Sequence, residues 1–465
     1  MSTQGRGRGC RLRRLLMPFA VLAALNGCAQ YHPRPLSPKT ASAALRRPSI
    51  LSLEVAAARI RHPILRPVTF NGGRLTPDQV AVLAVVANPD LRAVRDQTQI
   101  AHAQLIQAGL LPNPVFSYGV SLPMGNTAGL TRGYSFGLGL DLRALLLRNA
   151  RKAEARANVH SVALNVAWLE WQVAEGAKLH ALRLISLRGA VRTAVAIENN
   201  AEHEAQVMRL ALAAHEVTLI EEAAAVGAAQ NARMAVIRLE AEQARERLAL
   251  DQAIGLAPTV RLPLERRLRT ARWRTLPKLS GVLAHLQQRR LDLVALRYGY
   301  ESAEEQLRQQ VLAQFPRISL SLARARDTTD VNSIDSGVRI GLPIFNHNQG
   351  RIAIASATRR QLFDEYEARL FAARAQVAQI LNDMKWIKRR IRDAEAKVRS
   401  SARLERAAKQ AFAHGNVNTI VDYRIREQLA SQRLSLAGLR RRLDDLGVAL
   451  EVASGRYFEG VRRHR

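Results

Sequence analysis

Residues 114–142 read PVFSYGVSLPMGNTAGLTRGYSFGLGLDL, and residues 316–344 read PRISLSLARARDTTDVNSIDSGVRIGLPI. The two stretches lie 202 positions apart, and the same step pairs Asp90 with Asp292, Ala101 with Ala303, Leu105 with Leu307, Ser117 with Ser319 and Gly139 with Gly341. No gap interrupts the offset, so one helix–hairpin–helix unit is written twice.

Within each stretch the side chains alternate. Phe116, Tyr118, Val120 and Leu122 are separated by Ser117, Gly119 and Ser121, and Tyr134, Phe136, Leu138 and Leu140 by Ser135, Gly137 and Gly139. The copy repeats the period with Ile318, Leu320 and Leu322, then Val338, Ile340, Leu342 and Ile344. An extended ribbon with one apolar face and one small, polar face is what the wall of a membrane β-barrel requires. A soluble, half-buried hairpin has the same period. Strand number separates the two readings: about four strands cannot close a barrel, and lipid does not tolerate open edges. Strands of this kind in a membrane have to be pooled by several chains.

At 465 residues the chain is long enough for two or three domains, but the duplication argues for one composite body. Aromatic residues make up only 5%, which suits long, closely packed helices better than a bulky globular core. The net charge of +31 raises nucleic acid as a partner. The arginines are spread along helices with no aromatic stacking cluster, so a solvated basic surface is the competing explanation and no nucleic-acid partner is expected.

The first residues bear on the compartment. Arg6, Arg8, Arg11, Arg13 and Arg14 precede the apolar run Leu15–Leu25, which is too short to span a bilayer and has the layout of a secretory signal. Leu25-Asn26-Gly27-Cys28 resembles the bacterial lipoprotein box, which implies that Cys28 becomes the acylated N-terminus. Ala29 and Gln30 lack the aspartate that favours inner-membrane retention in such lipoproteins, so the outer membrane is expected. An ordinary cleaved signal with an incidental cysteine is the alternative. Cys10 falls in the removed part, leaving no internal disulfide.

Six segments follow from this reading: a signal peptide (1–27), a lipid-linked tether without sustained period (28–75), a first repeat (76–256), a basic linker rich in proline and arginine (257–290), a second repeat (291–456) and a frayed tail (457–465). Thr76-Pro77-Asp78 starts a helix that is expected to run to about Leu111, with a counterpart from Leu291 to Gln314. After each hairpin a stretch free of proline continues, about 150–214 and 351–414. At ~1.5 Å per residue each makes a rod of roughly 95 Å. Rods of that length joined to membrane strands suggest a duct crossing the periplasm. Ala153, Ala155, Ala163, Ala167, Ala174 and Ala177 would let neighbouring helices approach closely. Each rod must turn, at His215-Glu216-Val217-Thr218 and at His414-Gly415-Asn416. A returning helix is expected in each half, to Gly255 and to Gly455. The fold class is therefore mainly α with a small membrane β part.

Several motifs resemble the TolC-like outer-membrane efflux family over roughly residues 76–455. They are Asn88-Pro89-Asp90-Leu91, Ala108-Gly109-Leu110-Leu111-Pro112-Asn113-Pro114, and Phe315-Pro316-Arg317-Ile318-Ser319-Leu320. The run Gly341-Leu342-Pro343-Ile344-Phe345-Asn346-His347-Asn348-Gln349-Gly350-Arg351 looks like the CzcC-like branch that serves heavy-metal cation efflux. The resemblance implies a homotrimer in which each chain gives four strands to a shared twelve-stranded β-barrel and its long helical hairpins to a periplasmic α-barrel. It implies a periplasmic adaptor protein and an inner-membrane pump of the resistance-nodulation-division type as partners, with outer-membrane lipid around the strands. His215, Glu216, His414, Gly415 and Asn416 would then lie in the adaptor-docking turns. Thr419-Ile420-Val421-Asp422 matches the segment carrying the family's constriction carboxylate, which implies a periplasmic gate at Asp422. Ile425 stands where the best-known member has a second acidic residue, and the Gly415-to-Asp422 spacing is one residue longer. A helix N-terminal carboxylate favoured by the dipole is the competing role for Asp422.

No phosphate-binding loop, HExxH, CxxC or nucleophile elbow occurs, so neither an enzyme nor a cofactor is expected. His347 lies among amides that suit a strand-to-helix junction better than a metal site. The expected function is a passive exit duct for heavy-metal cations. Multidrug efflux and protein secretion are the alternatives within that fold, and a structural periplasmic coiled-coil lipoprotein is the alternative outside it.

Overall fold

The structure is a computed structural model that describes residues 30–39, 50–125, 128–268, 273, 275–414 and 419–458. Two units are distinguished, Met1–Arg47 and Pro48–Arg465, and the architecture below belongs to the second.

A short helix α1 (Ile50–Ala58) precedes α2 (Pro77–Ala87) and α3 (Pro89–Gly109), and the first hairpin is β1 (Val115–Ser121) with β2 (Gly133–Asp141). The long α4 (Leu142–Ala213) follows, and α5 (Leu219–Ile254) returns alongside it. Two short helices, α6 (Leu279–Leu283) and α7 (Leu286–Arg289), lie in the linker. The second repeat comprises α8 (Leu291–Leu312), β3 (Arg317–Arg326), β4 (Asn332–Gly341), α9 (Gln349–Ala413) and α10 (Thr419–Ser454). The strands form one antiparallel sheet in the order β1-β2-β3-β4. With 72 and 65 residues, α4 and α9 are rods of roughly 108 and 98 Å. Among the described residues no helix is long and apolar enough to cross a membrane.

Local chemistry explains the boundaries. Thr76 and Gln79 form a capping box: the Gln79 amide donates to the Thr76 hydroxyl at 3.2 Å, and the Thr76 amide to the Gln79 side chain at 2.7 Å. The single helix expected from Pro77 to Leu111 is broken at Asn88, whose side-chain oxygen accepts from the Asp90 and Leu91 amides and starts α3 with Pro89 in its first turn. The Asn88 amide also donates to the Ala253 carbonyl at 2.9 Å, so α5 ends where α3 begins. Gly255, at φ +83, closes that joint: a Cβ there would lie 2.5 Å from Pro89 Cδ. The repeat builds the same joint differently. Arg290, one offset after Asn88, donates to the Ala453 carbonyl, and a Cβ on Gly455 would lie 2.7 Å from the Arg289 carbonyl oxygen. End to end, α3 and α5 thus run beside most of α4.

The largest apolar clusters sit at these joints, midway along the rods. One gathers Val82, Leu83, Leu184, Ile185, Leu250 and Ile254. A second gathers Val377, Met384, Leu446 and Leu450 with Trp273 and Leu286 of the linker. A third surrounds Trp168 and Trp171. Within the expected tether, residues 50–75 carry structure: α1 buries Leu53 and Ala57, and Leu65 and Leu75 are buried too. The start of the tail carries structure as well. The Tyr457 ring meets Trp171 at 4.8 Å and Phe458 meets Trp273 at 5.7 Å, because aromatic burial outweighs the entropy of a free end. The rest of the tail, 459–465, lies outside the described residues.

Candidate functional site

Strand register sorts the side chains of the sheet onto two unlike faces. Phe116 stands opposite Leu138, Leu138 opposite Leu322, and Leu320 opposite Val338, so the apolar residues of all four strands share one side. They are exposed, with Phe116 and Val338 each at 64%. The Phe136 ring sits 5.1 Å from Tyr118 and 5.7 Å from Tyr134 on this side. Toward the hairpin ends the same face turns polar, where Tyr134 is opposite Arg326 and Arg326 opposite Asn332. An apolar band bordered by aromatic and arginine side chains matches a hydrocarbon layer and its interface.

The other face carries mostly short side chains, with Asp141, Arg317, Asp335 and Arg339 as its charged members. Ser117 is opposite Gly137, Gly119 opposite Ser135, and Ser321 opposite Gly337. A Cβ on Gly137 would come within 2.6 Å of Ser117 Oγ. Serine against glycine keeps this side small and wettable, as the inner side of a curved wall must be. Neither outer strand is covered along its second edge by any described residue, so β1 and β4 both present unpaired backbone groups.

β2 passes directly into its rod, whereas residues 342–348 join β4 to the second rod. Asp141, the last residue of β2, caps α4 by accepting from the Arg143 amide at 2.9 Å, so α4 starts eight residues before the expected Ala150. In the copy β4 ends at Gly341, and amides close the turn: Asn348 donates to the Gln310 carbonyl at 2.8 Å, and the His347 amide donates to the Gln349 side chain at 2.8 Å. His347 is part of this junction, and no group of metal-ligating side chains occurs among the described residues.

At the far end of the rods, α4 turns through His215 and Glu216, both exposed, with His215 at φ +60. Thr218 caps α5, accepting from the Glu221 amide at 3.3 Å while Glu221 accepts from the Thr218 amide at 2.8 Å. Leu219 and Ile220 stand exposed beside this turn. In the second turn His414 bonds the Gln410 carbonyl oxygen through its ring at 2.7 Å, whereas Gly415 and Asn416 lie outside the described residues. Asp422 falls in the first turn of α10, with its side chain outside the described set. Next to it the Tyr423 ring meets His203 of α4 edge-on at 5.6 Å. Burial and the neighbouring Glu427 charge raise the Glu204 carboxyl against the pull of Arg424. The His203–Tyr423 ring pair therefore joins α4 to α10 near this end. Cys28 lies outside the described residues.

A polar cluster that the sequence reading did not contain sits at mid-rod. Lys178 is fully buried and reaches Glu175 at 3.2 Å, Asp78 at 3.3 Å and Glu451, with its ammonium 4.5 Å from the Tyr457 ring centre. Glu451 in turn accepts from the Phe458 amide at 3.2 Å. Burial pushes the Glu175 carboxyl up to about 8 against the pull of Lys178, and the Glu451 charge adds to the rise. This cluster fastens α2, α4, α10 and the start of the tail together.

Residues 282–456 match the family model described as outer membrane efflux protein. No curated protein matches the sequence. Among solved structures, CusC is 20% identical with a TM-score of 0.68, over 85% of this chain and 98% of its own. The outer membrane protein VceC from Vibrio cholerae is 18% identical with a TM-score of 0.66, over 82% of this chain and 97% of its own. The open state of the MtrE outer membrane channel from Neisseria gonorrhoeae is 16% identical with a TM-score of 0.64, over 86% and 96%. The chain therefore has the fold of outer-membrane channels, and its second repeat carries the sequence signature of the outer membrane efflux proteins.

Proposed function

We propose that the protein is the outer-membrane exit duct of a three-part efflux system. The observation that carries this is one sheet with a lipid-compatible face, a Ser/Gly face and two open edges, continuous with helices of 72 and 65 residues. Open edges are costly in lipid, and edge-to-edge pairing of β1 with β4 of a neighbouring copy removes them. Three copies would give twelve strands, enough for a water-filled bore, as the family resemblance implies. The helices would extend this bore into the periplasm, and Cys28 would add a lipid anchor. Transport through such a duct is passive, and energy would come from an inner-membrane pump reached through a periplasmic adaptor.

The turns at His215-Glu216 and His414-Gly415-Asn416 are the proposed docking points, with exposed Leu219 and Ile220 as apolar contacts. Asp422 is the proposed gate: a ring of three carboxylates would attract cations, repel itself and open when an adaptor separates α10 from α4. Heavy-metal cations are the proposed cargo, on the likeness of residues 341–351 to the metal-efflux branch.

Purified protein in planar bilayers tests the channel. Stable trimers with cation-selective conductance are expected, and recovery as a soluble, pore-free helical protein overturns the reading. Asp422→Asn should raise single-channel conductance and weaken block by divalent cations; unchanged values would remove Asp422 from the gate. A deletion strain more sensitive to zinc, cobalt or cadmium than to dyes would support metal export, and the reverse would assign organic compounds.

A further inference from the structure

A groove of about 1420 Å³ runs along the α9–α10 hairpin at mid-rod, larger than the ~300–1,000 Å³ usual for small ligands. Lys385, Lys388 and Arg392 line one wall at helical spacing, and Arg433 and Arg440 of α10 line the other. Between them the floor is apolar, formed by Leu276, Ile391, Val398 and Leu436. Arg441 lines it too, bound to Glu242 at 3.0 Å, and of the four lining carboxylates Glu395 is engaged by Arg440 at 2.8 Å and Asp78 by Lys178 at 3.3 Å, so six cations stand against Asp78, Glu265, Glu395 and Asp444.

Like charges are crowded here at a cost to folding. Burial and the adjacent Arg392 push the Lys388 ammonium below its usual range. A groove whose cations oppose one another gains most from an anionic occupant.

We propose that this groove binds an acidic, amphipathic segment of a partner protein. The floor decides among anions: a polyphosphate or an anionic polysaccharide has nothing to place on leucine, isoleucine and valine, whereas a peptide with carboxylates on one side and aliphatic residues on the other fits both surfaces. From Lys385 to Val398 the groove measures about 20 Å, enough for three to four turns of helix. A second copy of this chain is the rival occupant, and accessibility of the groove in the pure trimer decides between the two. Lipid is excluded by distance, since Lys385 lies about 50 Å along α9 from the sheet. That last step rests on the channel reading, and the charge argument does not.

The test uses the full-length protein in detergent and fluorescence anisotropy of three probes: a labelled Glu/Leu amphipathic 14-residue peptide, labelled poly-glutamate and labelled polyphosphate. Preferred binding of the amphipathic peptide is expected, weakened about tenfold or more by Lys385→Gln combined with Arg392→Gln and Arg433→Gln. A control with the same loss of charge, Arg351→Gln with Arg403→Gln and Arg406→Gln, should change affinity less than twofold. Equal loss in both variants, equal binding of polyphosphate, or no peptide binding at low salt overturns the proposal. So does protection of a Lys385→Cys thiol from a charged reagent in the pure trimer, which would mean that a sister subunit covers the groove. None of these measurements depends on conductance, so they fail separately from the channel reading.

Discussion

At the residue scale, two glycines with similar backbone angles should respond very differently to one methyl group. Gly255 and Gly129 lie at φ +83 and +80, where a side chain costs about 1–2 kcal/mol. Only at Gly255 would the new Cβ meet a neighbour, Pro89 Cδ at 2.5 Å, at the joint that stacks α5 on α3. Gly255→Ala is therefore expected to lose about 2–4 kcal/mol and Gly129→Ala about 1, compared by chemical denaturation in detergent. Glu175 supplies a pH test. Its folded value of about 8 lies above the ordinary 4.5, so the folded protein holds an extra proton between those values. The stability it contributes is full below about 4.5 and is lost as pH rises through about 8. The unfolding midpoint should fall across that window, and Glu175→Gln should flatten the fall. A slope unchanged by the substitution would place the coupling elsewhere.

At the element scale, the sheet predicts that its two faces tolerate charge unequally. Leu138 shares the apolar face with Phe116 and Leu322, whereas Ser319 lies on the opposite side, facing Asp141 and Arg339 across the strands. Leu138→Arg should cost about 2–4 kcal/mol if that face meets lipid, and reduce the yield of assembled protein in membranes. Ser319→Arg should assemble normally and alter conductance instead. Equal tolerance at both sites would argue that neither face contacts hydrocarbon. The helices show how far local signals reach. Thr76 and Thr218 cap as their sequences indicate, but the Asn88-Pro89 break inside an otherwise good helical run was not anticipated. What makes it a break rather than a kink is a partner 165 residues away, the Ala253 carbonyl, which holds the Asn88 side chain.

At the scale of the whole molecule, a four-stranded sheet with both edges open predicts association. The purified protein should sediment as a trimer, and heating in detergent should convert it to monomer in one step as strand pairing between copies is lost. A monodisperse monomer before heating would contradict edge pairing. Much of this architecture was legible beforehand because it rests on two local regularities. Alternation with period two fixed which residues of Phe116–Leu140 share a face, and the constant offset of 202 fixed that β3 begins where β1 does in its repeat. Proline-free runs gave the rods to within a few residues, apart from the start of α4.

Other features depended on contacts between distant segments. Lys178 occupies an alanine-rich helical stretch where lysine ordinarily faces water, and nothing near it in sequence announces Asp78, Glu451 and Tyr457 as its surroundings. The pairing of β2 with β3 joins hairpins almost 200 positions apart, and the basic groove exists only because α9 and α10 pack as they do against α4 and the linker. The amino-acid order by itself determined periodicity, repetition and termination, since each is set by backbone geometry over a few residues. Tertiary structure alone decided which charges meet in the interior and which crowd together at the surface, because electrostatic neighbours are chosen by packing across the whole fold.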